Sequence, residues 1–218
     1  MPPIGVPYHH GDLRAALILA TEALLAEKGP DAFSLREVAR RAGVSPAAPT
    51  HHFGDAAGLL TAVATLGFEG LTRALESGSA RGGADPRAAL REQGIDYVRY
   101  ALQHPGRFRL MFRQGQLHPD AELERHGVAS WEVLARGVAR AAGPGAANQE
   151  QTVVALWSVV HGFAHLAIAG KFSGLKHLQG GGDYLERVLP PMLDAVLDGL
   201  LGPRPQPRAP RKAARRQP

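Results

Sequence analysis

Apolar residues recur along most of this chain at the spacing of an α-helix. Near the start, Leu13, Leu17, Ala20 and Leu24 are separated by four, three and four residues, which places them on one helical face. The alternation typical of strands, with every second residue apolar, does not recur along the sequence. The pattern therefore predicts an all-α protein with about nine helices.

Capping residues divide the N-terminal part into short helices. Asp12 is predicted to cap the first helix, and Gly29-Pro30 to end it. Ser34 and Glu37 have the spacing of a capping box, which predicts the start of a second helix. Further signals predict that this helix ends at Gly43, that a third runs from Ser45-Pro46 to Phe53, and that Asp55 caps a fourth helix reaching to 77.

The glycine-rich segment 78–84 is predicted to break the chain into two domains. Beyond it, periodicity predicts helices over 85–104, 105–112, 119–142, 149–170 and 183–201, the last kinked at Pro190-Pro191. The predicted organisation is an N-terminal arm at 1–11, a head domain at 12–77, a larger helical domain at 84–202 and a disordered basic tail at 203–218.

Charge is very unevenly distributed along the 218 residues. The formal net charge is +5, but the segment 203–218 holds six cations and no acid. The remaining residues carry 19 cations and 20 acids, so the folded part is almost neutral. The basic pI therefore does not identify a nucleic-acid-binding surface by itself. The absence of cysteine excludes a disulfide scaffold, a thiolate zinc site and a cysteine nucleophile, and it is compatible with a reducing cytoplasm.

One segment has the length and apolarity of a membrane span. Residues 151–170 carry no formal charge, but they include His161 and His165. We interpret the segment as a buried helix of a helical protein rather than as a span. No secretory signal is evident at the N-terminus, so we expect a cytoplasmic protein with no membrane partner.

The second and third predicted helices carry the main functional signal. They are joined by Ala42-Gly43-Val44-Ser45, a tight turn typical of a helix-turn-helix. The third helix has small outward residues, Ala47 and Ala48, which allow close approach to base edges. The same spacing also occurs in ordinary three-helix corners, so spacing alone leaves both interpretations open.

The segment 17–53 closely resembles the N-terminal domain of TetR-family repressors. The resemblance is carried by Glu27-Lys28-Gly29, Ser34, Val38-Ala39, the turn 42–45 and His52-Phe53. It implies a homodimer that binds a palindromic operator through the helix-turn-helix at 34–53, with 55–77 as the linking helix. It also implies release of the operator when a small-molecule effector binds the larger domain. The DNA-facing positions that it implies are Ser34, Ser45, Pro46, Ala47, Ala48, Thr50, His51 and His52. Arg36 is added to these predicted DNA-binding residues because it contributes positive charge on the second helix.

Two positions depart from the family pattern. Many members have a tyrosine where this chain has Thr50, and a lysine where it has Ala56. Residues 1–55 hold five cations and six acids, so we expect the head to neutralise few phosphates. The tail 203–218 is either an auxiliary phosphate clamp or a solubilising segment. The salt dependence of DNA affinity, measured with and without the tail, distinguishes the two.

The larger domain resembles a TetR subclass with a tryptophan–histidine–glycine signature. Here the signature is Trp157, His161 and Gly162, and a preceding Arg109–Phe112 segment is also similar. We predict an effector pocket lined by Phe108, Met111, Phe112, Trp157 and His161, although each of these residues also suits ordinary core packing. His161 and His165 have a metal-binding spacing, but a third ligand is missing, so we predict a hydrogen-bonded histidine, no metal and no cofactor.

Helices 149–170 and 183–201 are the predicted dimer interface. A helix that is apolar nearly all round needs cover on every side, and two such helices from each subunit would form a four-helix bundle. Two alternatives to a ligand-responsive repressor remain, a helical enzyme and a DNA-binding protein without an effector. No P-loop, nucleophile elbow or HExxH motif supports the enzyme, and an open apolar cavity would favour the repressor. The operator, the effector and the regulated genes do not follow from the sequence.

Overall fold

The computed structural model describes residues 10–113, 115–172 and 184–202, and within these residues the regular secondary structure is helical, with no strand. The ten α-helices, of which the last two form one interrupted helix, are α1 (His10–Lys28), α2 (Leu35–Ala42), α3 (Ala48–Phe53), α4 (Ala56–Arg81), α5 (Pro86–Gln103), α6 (Pro105–Met111), α7 (Ala121–Ala142), α8 (Gln149–Ile168), α9 (Tyr184–Arg187) and α10 (Leu189–Leu201). A 3-10 turn, Pro30–Ala32, follows α1. The all-α prediction is confirmed.

Two hydrophobic cores share helix α4. The head core joins α1, α2 and the first half of α4, with Leu17, Leu24, Val38 and Leu59 fully buried. The larger core packs the second half of α4 against α5, α6, α8 and α10. Helix α5 is the central element of this domain, because its residues are buried along most of its length. The head is therefore joined to the larger domain by a continuous helix.

The predicted end of this helix at 77 is four residues early, because α4 continues to Arg81 and ends at Gly82, inside the glycine-rich segment 78–84. Gly78 lies where α4 crosses α5: a Cβ at this position would lie 2.6 Å from the backbone oxygen of Glu92. The glycine serves close packing of two helices, since any side chain would force their backbones apart. A glycine needed for a helix crossing looks the same in the sequence as one that ends a helix.

Several helix ends agree with the cap residues in the sequence, and others differ. The side chain of Asp55 accepts a hydrogen bond from the Gly58 backbone at 2.8 Å, as predicted for the start of α4. Helix α9 ends at Arg187 and α10 restarts at Leu189, directly before Pro190-Pro191. In contrast, Asp12 lies inside α1, and the Ser34 side chain makes no capping bond. The arm at 1–9, the glycine loop at 180–182 and the tail 203–218 lie outside the described residues.

Candidate DNA interface and effector cleft

Helices α2 and α3 form the predicted helix-turn-helix. Gly43 ends α2 in the left-handed conformation, with φ of 69°, which a residue with a side chain rarely adopts. Val38, Ala39 and Pro49 are buried against the rest of the head and fix the angle between the two helices. Helix α3 begins at Ala48, three residues after Ser45, because Ser45 to Ala47 form a turn closed by the Ala48 backbone N–H and the Ser45 carbonyl.

The residues predicted to face DNA lie largely on one exposed surface, which we call the reading face. Seven of the nine are exposed: Ser34, Arg36, Ser45, Pro46, Ala47, Thr50 and His51. Ala48 and His52 are half-buried. Ser34, Arg36 and Pro46 line a shared concavity between the start of α2 and the turn before α3. The structure thus brings together the ends of both helices, where backbone N–H groups are available to an anion.

Most of the positive charge on α2 is paired within the head. Arg40 donates to both carboxylate oxygens of Glu37, each at 2.8 Å. Arg41 donates to Glu37 at 3.0 Å and to Glu27 at 2.5 Å. The bonds from Arg40 and then Arg41 lower the pKa of the Glu37 carboxyl to about 2. The capping-box prediction for Glu37 is wrong, because its carboxylate binds these two arginines.

Arg36 is the α2 arginine outside this pairing. Within the described part of the chain it makes no ion pair, and its side chain is exposed on the reading face. A further cation of the head, Arg14, lies over the ring of Phe53 at 5.3 Å from its centre. The reading face therefore combines the Arg36 guanidinium with small, uncharged side chains.

A cleft opens on the larger domain beside the end of α6. Its volume is about 640 Å³, and its walls come from the segment after α6 and from α8. Met111, Phe112, Trp157 and His161, four of the five predicted pocket residues, line it. Phe108 does not line it, because this residue is completely buried and packs behind Phe112 with ring centres 5.2 Å apart.

A chain of hydrogen bonds fixes the aromatic wall of the cleft. The indole Nε1 of Trp157 donates to the hydroxyl of Tyr97 at 3.3 Å, and this hydroxyl lies 2.8 Å from Nδ1 of His161. Nδ1 of His161 is the acceptor within reach of the hydroxyl proton, and we assign the histidine hydrogen to Nε2 on this basis. Burial, and secondarily the nearby His165, lower the pKa of His161 to about 4, so the ring is neutral at pH 7. Burial also raises the pKa of Tyr97 far above its usual value, which keeps its proton in place.

Sequence patterns missed Tyr97, although it joins Trp157 to His161. It lies on α5, sixty residues from its nearer partner, and nothing in its local sequence distinguishes it from a core residue. The rings of His161 and His165 are 4.5 Å apart between their centres. Among the described residues, no group of three or more carboxylate or histidine side chains is arranged to hold a metal ion.

A second, smaller cavity of about 60 Å³ lies on the other side of Trp157. It is lined mainly by apolar side chains of α5, α7, α8 and α10, together with Tyr97 and Gln93. Trp157 therefore lines both this cavity and the open cleft, and its partner Tyr97 lines the cavity.

Three polar links join the head to the segment 105–118. Arg107 on α6 forms a half-buried ion pair with Glu22 of α1. Arg113 donates to both carboxylate oxygens of Asp31, at 2.5 and 2.9 Å. His118 lies 2.9 Å from Asp55, the cap of α4, and its backbone N–H donates to Thr61 at 2.9 Å. The same segment thus contacts the head on one side and lines the cleft on the other.

Helix α8 is the helix of the described chain that is long and apolar enough to cross a membrane, with a mean hydropathy of 1.4. One of its faces is packed into the domain, where Val153, Leu156, Val160 and Phe163 are buried. The opposite face is exposed and carries Val154 and Leu166. The helix that was predicted to be buried is therefore packed against the domain on one face and exposed on the opposite face.

The described helices form a helix-turn-helix head joined to a larger helical domain, and comparison with known proteins identifies this arrangement. Residues 17–63 match the family described as bacterial regulatory proteins, tetR family, and residues 90–190 match the tetracyclin repressor-like C-terminal domain. The chain belongs to the TetR family of transcription regulators. The subclass with the tryptophan–histidine–glycine signature is a finer assignment than these matches give.

Solved structures support the same assignment. A Rhodococcus sp. RHA1 protein of unknown function is 33% identical, covers 90% of this chain and 100% of its own, and has a TM-score of 0.73. The TetR-family regulator PfmR of Thermus thermophilus is 25% identical over 84% of this chain and 98% of its own, with a TM-score of 0.66. A tetR-family regulatory protein of Rhodococcus RHA1 shares the fold at 17% identity, with coverages of 88% and 98% and a TM-score of 0.70. Comparison with the curated proteins found no match.

Proposed function

We propose that the protein is a cytoplasmic, homodimeric repressor that binds a palindromic operator and is released from it by a small-molecule effector. The observation that carries this proposal is the segment 105–118, which contacts the helix-turn-helix head and also lines an open cleft. A DNA-binding protein without an effector has no need for such a cleft, and the family consists in general of regulators rather than enzymes.

DNA recognition is assigned to the reading face. The exposed hydroxyls of Ser34 and Ser45 lie near helix starts, where they suit phosphate oxygens. Ala47, Ala48 and Thr50 are small enough for contact with base edges and thymine methyl groups, and His51 and His52 offer ring nitrogens to bases or phosphates. Arg36 supplies a phosphate contact that Arg40 and Arg41, held by acids, supply less readily.

Dimerisation is assigned to α8 and α10. Val154, Ser158, Gly162 and Leu166 are spaced four apart and lie exposed on the outer face of α8. A Cβ at Gly162 would meet no atom of the same chain within 4 Å. An exposed glycine inside a helix lowers the stability of the folded protein by roughly 0.5–1 kcal/mol relative to alanine at the same position. Close contact with a second subunit explains why this position is glycine, and with it the third residue of the tryptophan–histidine–glycine signature.

Effector release is assigned to the segment 105–118. A ligand in the cleft meets Met111 and Phe112, which are adjacent to Arg113 and follow Arg107 on α6. Displacement of these residues changes the links to Glu22, Asp31 and Asp55 of the head. Because the links hold the head in one orientation, the ligand shifts the balance between two head positions.

The proposal is tested by selecting bound fragments from genomic DNA with the full chain and measuring affinity for the recovered sites. We expect palindromic sites with half-sites about one DNA turn apart, roughly 34–36 Å. Gly162→Trp should convert the dimer to a monomer in sedimentation experiments and abolish operator binding. Gly127→Trp is the matched control, since a Cβ at Gly127 also meets no atom of the chain within 4 Å but lies on α7. Failure to bind any DNA at low salt would refute the proposal.

A further inference from the structure

The polar side chains that line the cleft offer hydrogen-bond donors and positive charge. Its walls are mainly apolar or aromatic, and its charged or ionisable side chains are Arg113, His118 and His161. No carboxylate lies among the described residues that line it. Arginine presents only donors, and His161 offers its Nε2 hydrogen because Nδ1 accepts from Tyr97. The cleft therefore suits a ligand that brings hydrogen-bond acceptors and negative charge.

Arg113 is held by a carboxylate of the head. Asp31 binds its guanidinium through two oxygens, at 2.5 and 2.9 Å, which is the geometry that arginine uses for any carboxylate. The side chain of Asp31 is 76% exposed and that of Arg113 is 38% exposed. Water screens a pair with this exposure, so the pair is weak. A second carboxylate that approaches from the apolar cleft is less hydrated there and binds the same guanidinium more strongly.

We propose that the effector is a small molecule with an apolar or aromatic body and a carboxylate, and that this carboxylate takes Arg113 from Asp31. The body lies against Phe112 and Trp157, and the Nε2 hydrogen of His161 is available to the second carboxylate oxygen. This inference rests on the proposed function, because it names the ligand class and the release step of the same cleft. Because the two carboxylates repel each other and share one positive charge, binding of the ligand carboxylate weakens the contact between Arg113 and Asp31.

Competition predicts an unusual sign for the variant Asp31→Asn. An amide at this position is a poorer partner for Arg113, so the guanidinium becomes more available and carboxylates bind the cleft more tightly. A purely structural role of Asp31 would give the opposite result, because loosening the segment 113–118 would weaken binding. Arg113→Gln removes the charge and with it the preference for an anion.

The probes are benzoate and octanoate, each compared with its own amide by titration calorimetry on the full chain. We expect each carboxylate to bind about tenfold more tightly than its amide. Arg113→Gln should remove this preference, and Asp31→Asn should tighten carboxylate binding by about threefold with no change for the amides. Arg136→Gln is the control, since Arg136 is an exposed arginine of α7 paired with Glu132 and distant from the cleft lining.

Circular dichroism and thermal unfolding establish that each variant is folded. Operator affinity, measured on the same samples, separates the two proposals. Suppose that DNA is bound but neither carboxylate binds the cleft: the ligand assignment is then wrong and the proposed function stands. The same conclusion follows if the preference for the carboxylate over its amide survives Arg113→Gln, or if Asp31→Asn fails to tighten carboxylate binding. If the carboxylate preference is present but no DNA is bound, the ligand assignment stands and the proposed function is wrong.

Discussion

The head and the larger domain place their polar groups in opposite ways. In the head, Arg40 and Arg41 form surface pairs with Glu37 and Glu27, which leaves Arg36 as the α2 arginine that contributes charge to the reading face. In the larger domain, Trp157, Tyr97 and His161 bond to one another within an aromatic cluster. In the proposed function, this difference means that the head recognises shape and base edges more than phosphate charge. In the larger domain, in contrast, the Trp157, Tyr97 and His161 side chains are neutral and satisfy one another.

Helix α4 connects the two regions, so the largest expected effect comes from breaking its crossing with α5. Gly78→Val places a branched side chain against the Glu92 and Gln93 backbone, where nothing flexible can yield. We expect a loss of about 3 kcal/mol in the free energy of unfolding, measured by urea titration. Gly127→Ala, at a helical glycine with open space, should instead stabilise the protein by roughly 0.5–1 kcal/mol. Equal effects of the two changes would contradict the packing role of Gly78.

The second largest loss of stability is expected from removing the buried hydrogen bonds of the larger domain. Tyr97→Phe removes the hydroxyl between Trp157 and His161 and leaves both nitrogens without this partner. We expect a loss of about 1–3 kcal/mol in stability. The emission of Trp157 should change as well, because its indole loses an acceptor. Tyr100→Phe, which removes one bond to the Gly67 carbonyl, is the comparison and should leave that emission unchanged.

The pH dependence of the free energy of unfolding tests the same difference between the head and the larger domain. The pKa of His161 is lowered to about 4 in the folded protein, from 6.5 in the unfolded chain. Above pH 6.5 both states hold a neutral ring, and stability is unaffected. As the pH falls from there toward 4, the unfolded state takes up a proton that the folded state does not, so stability falls.

The lowered pKa values of His165 and His104 act in the same direction. The lowered carboxyl pKa values of the head, at Asp31, Glu37 and Asp55, act only in more acidic solution. Urea titrations at pH 7 and pH 5 should therefore show a smaller loss of stability for His161→Gln than for the original chain. An unchanged loss would mean that His161 is not the main group involved.

The smallest effect concerns charge in the head. Arg36→Ala should lower the slope of log affinity against log salt by about one, because one phosphate contact is lost. Arg40→Ala should change the slope less, since Arg40 is already paired with Glu37. Filter-binding or anisotropy titrations with operator DNA at several salt concentrations measure both. A larger change of this slope for Arg40→Ala than for Arg36→Ala would show that the ion pair between Arg40 and Glu37 breaks when DNA binds.

Local patterns predicted the elements that local interactions create. Helical spacing, the Asp55 cap and the restart of the last helix beside Pro190-Pro191 all depend on residues within about one helical turn of each other. The helix-start signals and the family resemblance together singled out Ser34 and Ser45 around the turn, and both are exposed there. These parts of the fold and of the reading face were therefore accessible from the sequence.

Contacts between distant segments were not accessible in this way. Gly78 looked like a helix end because its partner is the α5 backbone, and Glu37 looked like a capping residue because its competing partners, Arg40 and Arg41, offer stronger charged bonds. Tyr97 and Arg113 each meet their partners across sixty or more residues. A single sequence contains no signal for such long-range contacts, and Tyr97 and Arg113 are the residues that shape the cleft.

The unbroken course of α4 has a mechanical consequence. With 26 residues, the helix is about 39 Å long, and it acts as a lever arm between the larger domain and the head. A tilt of about 5° at its α5 end carries its other end, which is capped beside the recognition helix, by about 3 Å. That displacement approaches the rise of one base pair. In the proposed repressor, a rotation too small to disturb either core is therefore enough to move a recognition helix out of register with its half-site.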